Sequence, residues 1–220
     1  MLTTTELLEL NETYANTNIA DEGTIREYYD TRTQIEQFTE DIQFVMSHPS
    51  HCLSFIQPGR LVHVKHQGLD FGWGAVVNYK ERKPQKNSQE VISDHQKYVV
   101  DILLKVPDGT SVGTKTFEEL PSGVVPPTEG QKVKVEVVPV MLACIKAFAQ
   151  LRVPLPKDLR SVDSRNNAKN LLNEVQRRFP DGLPIADPIE DMHIKDDGFK
   201  KTLRVSSLDY KDAIITLVAN

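Results

Sequence analysis

Several groups of residues in this chain have the types and spacing that chemistry uses. His48, His51 and Cys52, with His63 and His66 further on, carry metal-like spacings. His63 and His66, however, lie three apart on a run of strand character, so they point to opposite faces where chelation needs convergence. Glu190, Asp191, Asp196 and Asp197 supply carboxylates without the fixed spacing of a calcium loop. Gly109-Thr110-Ser111-Val112-Gly113-Thr114-Lys115-Thr116 is the nearest approach to a phosphate loop. Thr114 separates the glycine from the lysine that must follow it, and no strand–helix frame surrounds it. No Gly-x-Ser-x-Gly elbow and no nucleophile–base pair accompany these groups. The expectation is a segment with no catalytic residue, no metal and no cofactor of its own.

The residues suited to binding are more suggestive. Arg60 follows a Pro58-Gly59 turn at the mouth of a strand. Its fork can hold a carboxylate bidentately, and Leu61, Val62 and Phe55 could line a pocket for a short peptide. A strand-end arginine in a local salt bridge is the other reading. Lys80, Arg82, Lys83 and Lys86 cluster where a second strand enters a loop. With Lys65 they could contact RNA phosphates, or form a plain solubilising surface. Trp73 could stack on a base or belong to the core.

The elements that must position these residues follow from periodicity. Residues 58–77 read as two strands joined by a short glycine-bearing turn. In the first, Leu61, His63 and Lys65 oppose Val62 and Val64; in the second, Phe71, Trp73, Ala75 and Val77 oppose Gly72, Gly74 and Val76. Ahead of them, Ile25, Tyr28, Tyr29, Ile35, Phe38, Ile42, Val45 and Met46 recur at helical steps, with Thr24 and Glu27 in capping-box spacing and Pro49 as a stop. A helix of about 24 residues would be about 36 Å long. Residues 97–106 and 132–138 read as further strands. The stretches 81–96 and 107–131 between them read as surface loops. Met141 to Val153 is ambiguous between strand and helix. A second helix capped by Asp163 or Ser164 runs to Phe179, and a last amphipathic piece spans 199–217. The expected organisation is an entry and stalk helix over 1–57, a β-barrel over 58–155 and a returning helical segment over 156–220.

Charge is unevenly spread. The chain of 220 residues carries a net −5. Residues 1–50 hold two basic against ten acidic side chains, whereas residues 58–106 hold eight against five. An acidic helix thus leads into a basic β segment. Two distant cysteines, Cys52 and Cys144, make no disulfide framework, which points to a reducing compartment. No apolar run approaches a membrane span, and the first residues lack the form of a signal peptide.

Gly59-Arg60, Val62, Val64, Gly68 and Gly72-x-Gly74-x-Val76 together resemble the KOW motif of small SH3-like barrels. Five stretches sharpen the likeness: Glu27-Tyr28-Tyr29, Phe55 to Val62, Phe71-Gly72-Trp73-Gly74, Pro154 to Arg160, and Arg177-Arg178-Phe179-Pro180-Asp181-Gly182. Over about residues 24–203 the chain resembles the arch insertion of Mtr-type DExH RNA helicases, the Ski-like group of the nuclear exosome and the TRAMP complex. The resemblance implies an α+β fold, in which a small SH3-like KOW β-barrel rides on an antiparallel helical stalk. It implies binding of structured RNA and of short arch-interacting motifs, Leu-Phe-x-Pro-x-Asp-like, in ribosome-biogenesis factors and exosome adaptors. The family arginine that pairs with the motif's aspartate maps onto Arg60, with Leu61, Val62 and Phe55 about it. ATP and Mg would belong to a parent helicase in the nucleus and nucleolus, since this segment holds no DExH box or P-loop. Residues 205–220 depart from the returning helix of the pattern. The alternative is a free-standing KOW-type RNA-binding protein without peptide partners.

Overall fold

A computed structural model describes residues 22–82, 93–113, 119–195 and 197. In chain order these form helix α1 (Glu22–Met46), the single turn α2 (Pro49–Cys52), strands β1 (Arg60–His66), β2 (Leu69–Glu81), β3 (Tyr98–Pro107), β4 (Val133–Met141) and β5 (Ile145–Arg152), and helix α3 (Val162–Arg178). Short 3-10 turns occupy Asp94–Gln96 and Leu142–Cys144. Two compact units divide within α1, the larger beginning at Glu40. Among the described residues no helix is long and apolar enough to cross a membrane.

In the smaller unit, α1 is held by its own chemistry. Arg26 pairs with Glu22 and Arg32 with Glu36, both at i,i+4 spacing on the surface, where each pair adds only a few tenths of a kcal/mol. Ile25, Tyr28 and Tyr29 are exposed. The helix starts at Glu22, so Thr24 sits inside its first turn and does not cap it. The residue before it lies outside the described residues.

The larger unit is an antiparallel five-stranded sheet in the order β4-β3-β2-β1-β5. Its two faces are both buried, which explains why adjacent residues vanish from solvent together. Val62, Val64, Val76, Val100, Ile102, Leu104, Val138, Ile145 and Phe148 fill the barrel interior. Leu61, Ala75, Leu103, Val135 and Ala149, one step out of phase, form a second cluster with Ala168 and Leu172 of α3. Each leucine so enclosed contributes about 1.5–3 kcal/mol. The last turns of α1 close the interior from one side: Met46 is buried there, Ile42 and Val45 pack against the cluster, and the Gln43 side-chain amide donates to the Ile145 carbonyl.

Local rules account for most joints. Gln67 and Gly68 both have positive φ, 47° and 78°, as a two-residue hairpin turn of the primed type requires. The strict alternation expected of β2 is interrupted near the hairpin, and its register with β3 shifts again between Val76 and Asn78. Val64 pairs with Gly72 but Lys65 pairs with Asp70, leaving Phe71 as an extra residue in a bulge at Gly72, φ 69°. Phe71 therefore turns into the barrel interior, while Trp73, Ala75 and Val77 stay with the outer cluster. Gly74 is the point of close approach, since a Cβ there would lie 2.5 Å from Leu104 and 2.8 Å from the Leu103 carbonyl.

Three further expectations change. The ambiguous run after Met141 is a 3-10 turn and a strand, because pairing with β1 decides what its own period could not. The stretch 107–131 is more than a surface loop, for Leu120 and Val124 are buried in the barrel core and the Met141 N–H donates to the Glu119 carbonyl at 2.8 Å. The cap of α3 is Ser161, whose Oγ accepts from the Ser164 N–H at 3.1 Å. Asp163 lies in the first turn beyond it. Arg165 pairs with Glu136, and the Lys169 ammonium donates to the Val133 carbonyl, so α3 is tied to β4. Residues 199–217 lie outside the described residues.

The sheet turns on Gly59, whose φ is 82° and whose added Cβ would fall 2.0 Å from the Val153 carbonyl oxygen. Gly68 has a similar φ, 78°, in open space. Urea unfolding should therefore separate them. Gly68→Ala should cost about 1–2 kcal/mol of backbone strain, and Gly59→Ala several kcal/mol more or prevent folding.

Candidate binding site

The turn Gln57-Pro58-Gly59-Arg60 has proline second and a positive-φ glycine third, the arrangement of a type II turn. The Arg60 N–H closes it on the Gln57 carbonyl at 2.9 Å. On either side of Gly59 the backbone is clamped: its N–H donates to the Val76 carbonyl of β2 at 2.7 Å, and its own carbonyl accepts from the Val153 N–H at 2.8 Å. Arg60 leaves this clamp with its direction set.

The guanidinium then runs across β5. Nη1 donates to the Ala149 carbonyl at 3.2 Å and to the Gln150 carbonyl at 2.9 Å, and Nε reaches the Phe55 carbonyl at 3.4 Å. Its carbon lies 4.6 Å from the Phe55 ring centroid, a cation–π arrangement. Phe55 is in turn set edge-on to Phe148 at 6.1 Å. Thus the fork is stacked on one aromatic ring and fixed by three carbonyls. Among the described residues Nη2 carries no hydrogen bond. The fork's partners are carbonyls and not the carboxylate of a local salt bridge, the other reading of a strand-end arginine.

A second arginine stands beside it that the sequence does not single out. Arg152 is the cross-strand partner of Arg60 in the β1–β5 ladder. It donates from Nη1 to Gln57 Oε1 at 2.8 Å and from Nη2 to the Pro58 carbonyl at 2.9 Å, bracing the same turn. Neither arginine forms an ion pair with a carboxylate among the described residues. Burial first, then the Arg152 charge, holds Arg60 below the ordinary arginine value, and Asp191 opposes both. Asp191 itself is held by the Gln150 side chain and the Asp187 N–H, each at 2.8 Å. Two adjacent cations with no ion-pair partner among the described residues form a place that a carboxylate would satisfy. Only their register across two strands about 90 residues apart reveals the pair, and no single stretch of sequence shows that.

The remaining candidates divide. Phe55 is half-buried beside the fork, with surface to offer. Leu61 and Val62 are each 0% exposed: Leu61 packs in the outer cluster under α3, where it edges a cavity beside that helix, and Val62 faces the barrel interior. They support the turn from below. Of the basic residues, Lys65 and Lys80 stand near opposite ends of the β1–β2 hairpin. Lys65 sits at the hairpin end of β1 and pairs with Asp70 of β2 at 3.0 Å. Lys80 lies near the other end, about 33 Å along the strand, and pairs with Asp101 at 3.6 Å. Arg82 follows it, its N–H bonded to the Lys97 carbonyl. Lys83 and Lys86 lie outside the described residues.

Trp73 is half-buried. It packs within the outer cluster and also faces a cavity of about 300 Å³ that Leu172, Val175 and Phe179 help to line. His63 lies 5.2 Å from it, ring to ring, and its Nε2 is 3.1 Å from Asp70. His48, by contrast, faces Asp94, and the Cys52 thiol donates to the Ser47 carbonyl, so the metal-like spacings of the sequence do not converge there.

A long amphipathic helix followed in the chain by a barrel, with a cationic fork at the barrel's first turn, defines a stalk-and-barrel module. Comparison with known proteins agrees. Residues 48–207 match the family described as "Mtr4-like, beta-barrel domain" and residues 4–47 that described as "Exosome RNA helicase MTR4-like, stalk". The chain belongs to this Mtr4-like family and is its arch segment. "Exosome RNA helicase MTR4" of Homo sapiens is 39% identical over 194 residues, 88% of this chain and 18% of that protein. The mouse (Mus musculus) protein of the same name gives the same figures. "ATP-dependent RNA helicase mtr4" of Schizosaccharomyces pombe is 38% identical over 199 residues, 90% of this chain and 18% of that protein. The chain spans about a fifth of the length of these relatives.

Burial against the hairpin depresses the His63 pKa, with Asp70 opposing and Lys65 adding to the fall. The folded state therefore takes up this proton at a lower pH than the unfolded chain does. The contribution of His63 to stability should be full above the ordinary value of 6.5 and be lost as pH falls below it. An NMR titration should place His63 below 6.5, and His63→Gln should flatten the acid side of the stability profile.

Proposed function

We propose that this chain is the arch module of a nuclear exosome-associated, ATP-dependent RNA helicase, and that it captures short adaptor motifs ending in an aspartate. The observation that carries the reading is the Arg60–Arg152 pair. Two guanidiniums stand side by side, held by carbonyls and a glutamine, with Nη2 of Arg60 open and no carboxylate against either among the described residues. A Leu-Phe-x-Pro-x-Asp-like segment of a ribosome-biogenesis factor or RNA-decay adaptor would bring the missing anion, and Phe55 would offer its apolar positions a surface. Membership of the family supports the helicase context, with ATP and Mg handled by the parent protein. Work in rRNA processing and RNA surveillance, within the nucleus and nucleolus and in association with TRAMP, follows from the same context.

In calorimetry with a peptide of that pattern, Arg60→Glu should abolish binding and Arg152→Glu should weaken it at least 10-fold, roughly the usual scale for leaving a bound charge without its partner. Both variants should keep the circular dichroism of the parent chain. An unchanged affinity for Arg60→Glu would remove Arg60 from the site, as would equal binding of a peptide with asparagine in place of the aspartate.

RNA binding is the second part of the proposal. It rests on the basic charge at the β2–β3 end, where Lys80, Arg82, Lys83 and Lys86 follow one another. The Lys80–Asp101 and Lys97–Glu81 pairs neutralise part of that field, so binding should be modest and salt-steep. Neutralising the four should reduce the slope of log K against log salt by about one unit for each phosphate that a side chain no longer meets. A slope that does not change would place RNA elsewhere on the module. Lys65, at the hairpin end of β1, should contribute separately or not at all.

A further inference from the structure

Cys144, His66 and Glu119 come from three parts of the chain that meet at one end of the barrel. His66 is the last residue of β1, Cys144 closes the 3-10 turn before β5, and Glu119 lies in the segment that pairs with the end of β4. One potential ligand atom from each, a sulfur, an imidazole nitrogen and a carboxylate oxygen, all lie within 4.8 Å of one another. The Cys144 Sγ to His66 Nδ1 distance is 3.7 Å, and His66 Nδ1 to Glu119 Oε2 is 3.4 Å.

Those two separations decide the chemistry. The Nδ1–carboxylate distance is longer than a good N–H···O hydrogen bond, which runs about 2.7–3.2 Å. Nδ1 has only one proton or one lone pair, yet it faces two partners. In a tetrahedral zinc site, with Zn–S about 2.3 Å, Zn–N about 2.0–2.1 Å and Zn–O about 2.0–2.2 Å, the S···N edge is about 3.6 Å and the N···O edge about 3.4 Å. Both observed distances match such edges. The third edge can close by rotation of Glu119, whose side chain is 46% exposed.

We propose that Cys144, His66 and Glu119 bind one divalent cation of the zinc class, with the fourth position open to water. The mixed sulfur, nitrogen and oxygen set suits a borderline-soft ion and suits magnesium or calcium poorly. Binding would release the thiol proton to solvent, and the proton the sulfur now shares with the Glu119 carbonyl at 3.4 Å would be the one given up. The cation would then link the end of β1, the segment before β4 and the turn before β5, stapling the barrel at the end opposite Arg60 on the same strand.

The test uses the whole 220-residue chain, purified metal-free and reduced, and titrated with cobalt(II) and then zinc(II). One equivalent of cobalt should produce a thiolate-to-cobalt charge-transfer band with tetrahedral d–d absorption. Zinc should displace it and raise the melting temperature. Cys144→Ser should lose the band, whereas Cys52→Ser, which removes the other buried thiol, should keep it. Should Cys144→Ser fail to fold, Glu119→Gln and His66→Gln decide, since neither changes the buried thiol and Glu119 is 46% exposed, and each should weaken cobalt binding. Absence of a charge-transfer band, its loss in Cys52→Ser, or unchanged affinity in both Glu119→Gln and His66→Gln would overturn the proposal.

Discussion

Everything at the binding end of the barrel depends on one backbone approach, that of Gly59 to Val153. The two segments come together so closely that no side chain fits between them, and the glycine φ of 82° forms the turn that makes the approach possible. Two hydrogen bonds lock it, one to β2 and one to the residue after β5. Because β1 begins at the next residue, the clamp fixes where Arg60 emerges and in which direction. Because Val153 follows Arg152, it fixes the second arginine as well. A single steric constraint thus places both guanidiniums, and their hydrogen bonds tie Gln57, Pro58 and Phe55 on one side to Ala149 and Gln150 on the other. The fork is preorganised by backbone, which lowers the ordering cost of whatever binds to it.

A sheet with two buried faces is the second constraint. It obliges β1, β2 and β3 to be apolar on both sides, and it commits Leu61 and Val62 to packing in opposite directions. Arg60, the first residue of β1, is the one residue of that strand's start that both faces leave partly exposed. The bulge at Gly72 answers to the same shortage of space: by sending Phe71 inward it fills the barrel, and it leaves Trp73 to the outer cluster and the cavity beside α3.

Strands β1 to β4, both long helices and the hairpin turn are legible in the sequence because their signals are local. Valine-rich alternation, Gln67-Gly68, Pro58-Gly59 and the Ala168–Leu172 stripe each act over a few residues. Arg60 is legible for the same reason, standing directly after the Pro58-Gly59 turn. What stays hidden is set by distant pairing. Arg152 acquires its meaning only from register with Arg60, and β5 is a strand only because β1 holds it. The inward turn of Phe71 comes from one extra residue opposite the step from Val64 to Lys65, which shifts every face assignment before it without altering composition. The caps differ from expectation by two or three residues, as happens where Thr24, Asp163 and Ser164 are as suitable in type as Ser161. Leu120 and Val124 are concealed by their proline-rich surroundings, where an apolar residue looks like part of a loop until the barrel closes over it.

Charge gives the last step. In a chain of net −5, many described lysines and arginines of the barrel have found a carboxylate: Lys65 with Asp70, Lys80 with Asp101, Lys97 with Glu81, Lys134 and Arg165 with Glu136. Acidic residues are in surplus, so a cation left without one is not a matter of supply. Arg60 and Arg152 nonetheless stand together, the charge of Arg152 opposing that of Arg60, with Asp191 acting on Arg60 only at longer range. Like charges in register across a ladder destabilise it, and the fold bears that penalty at the turn its backbone clamps most tightly. Local disagreement with an otherwise consistent structure is where function is best sought. Here the disagreement has a definite sign and a definite geometry, and one carboxylate would resolve it.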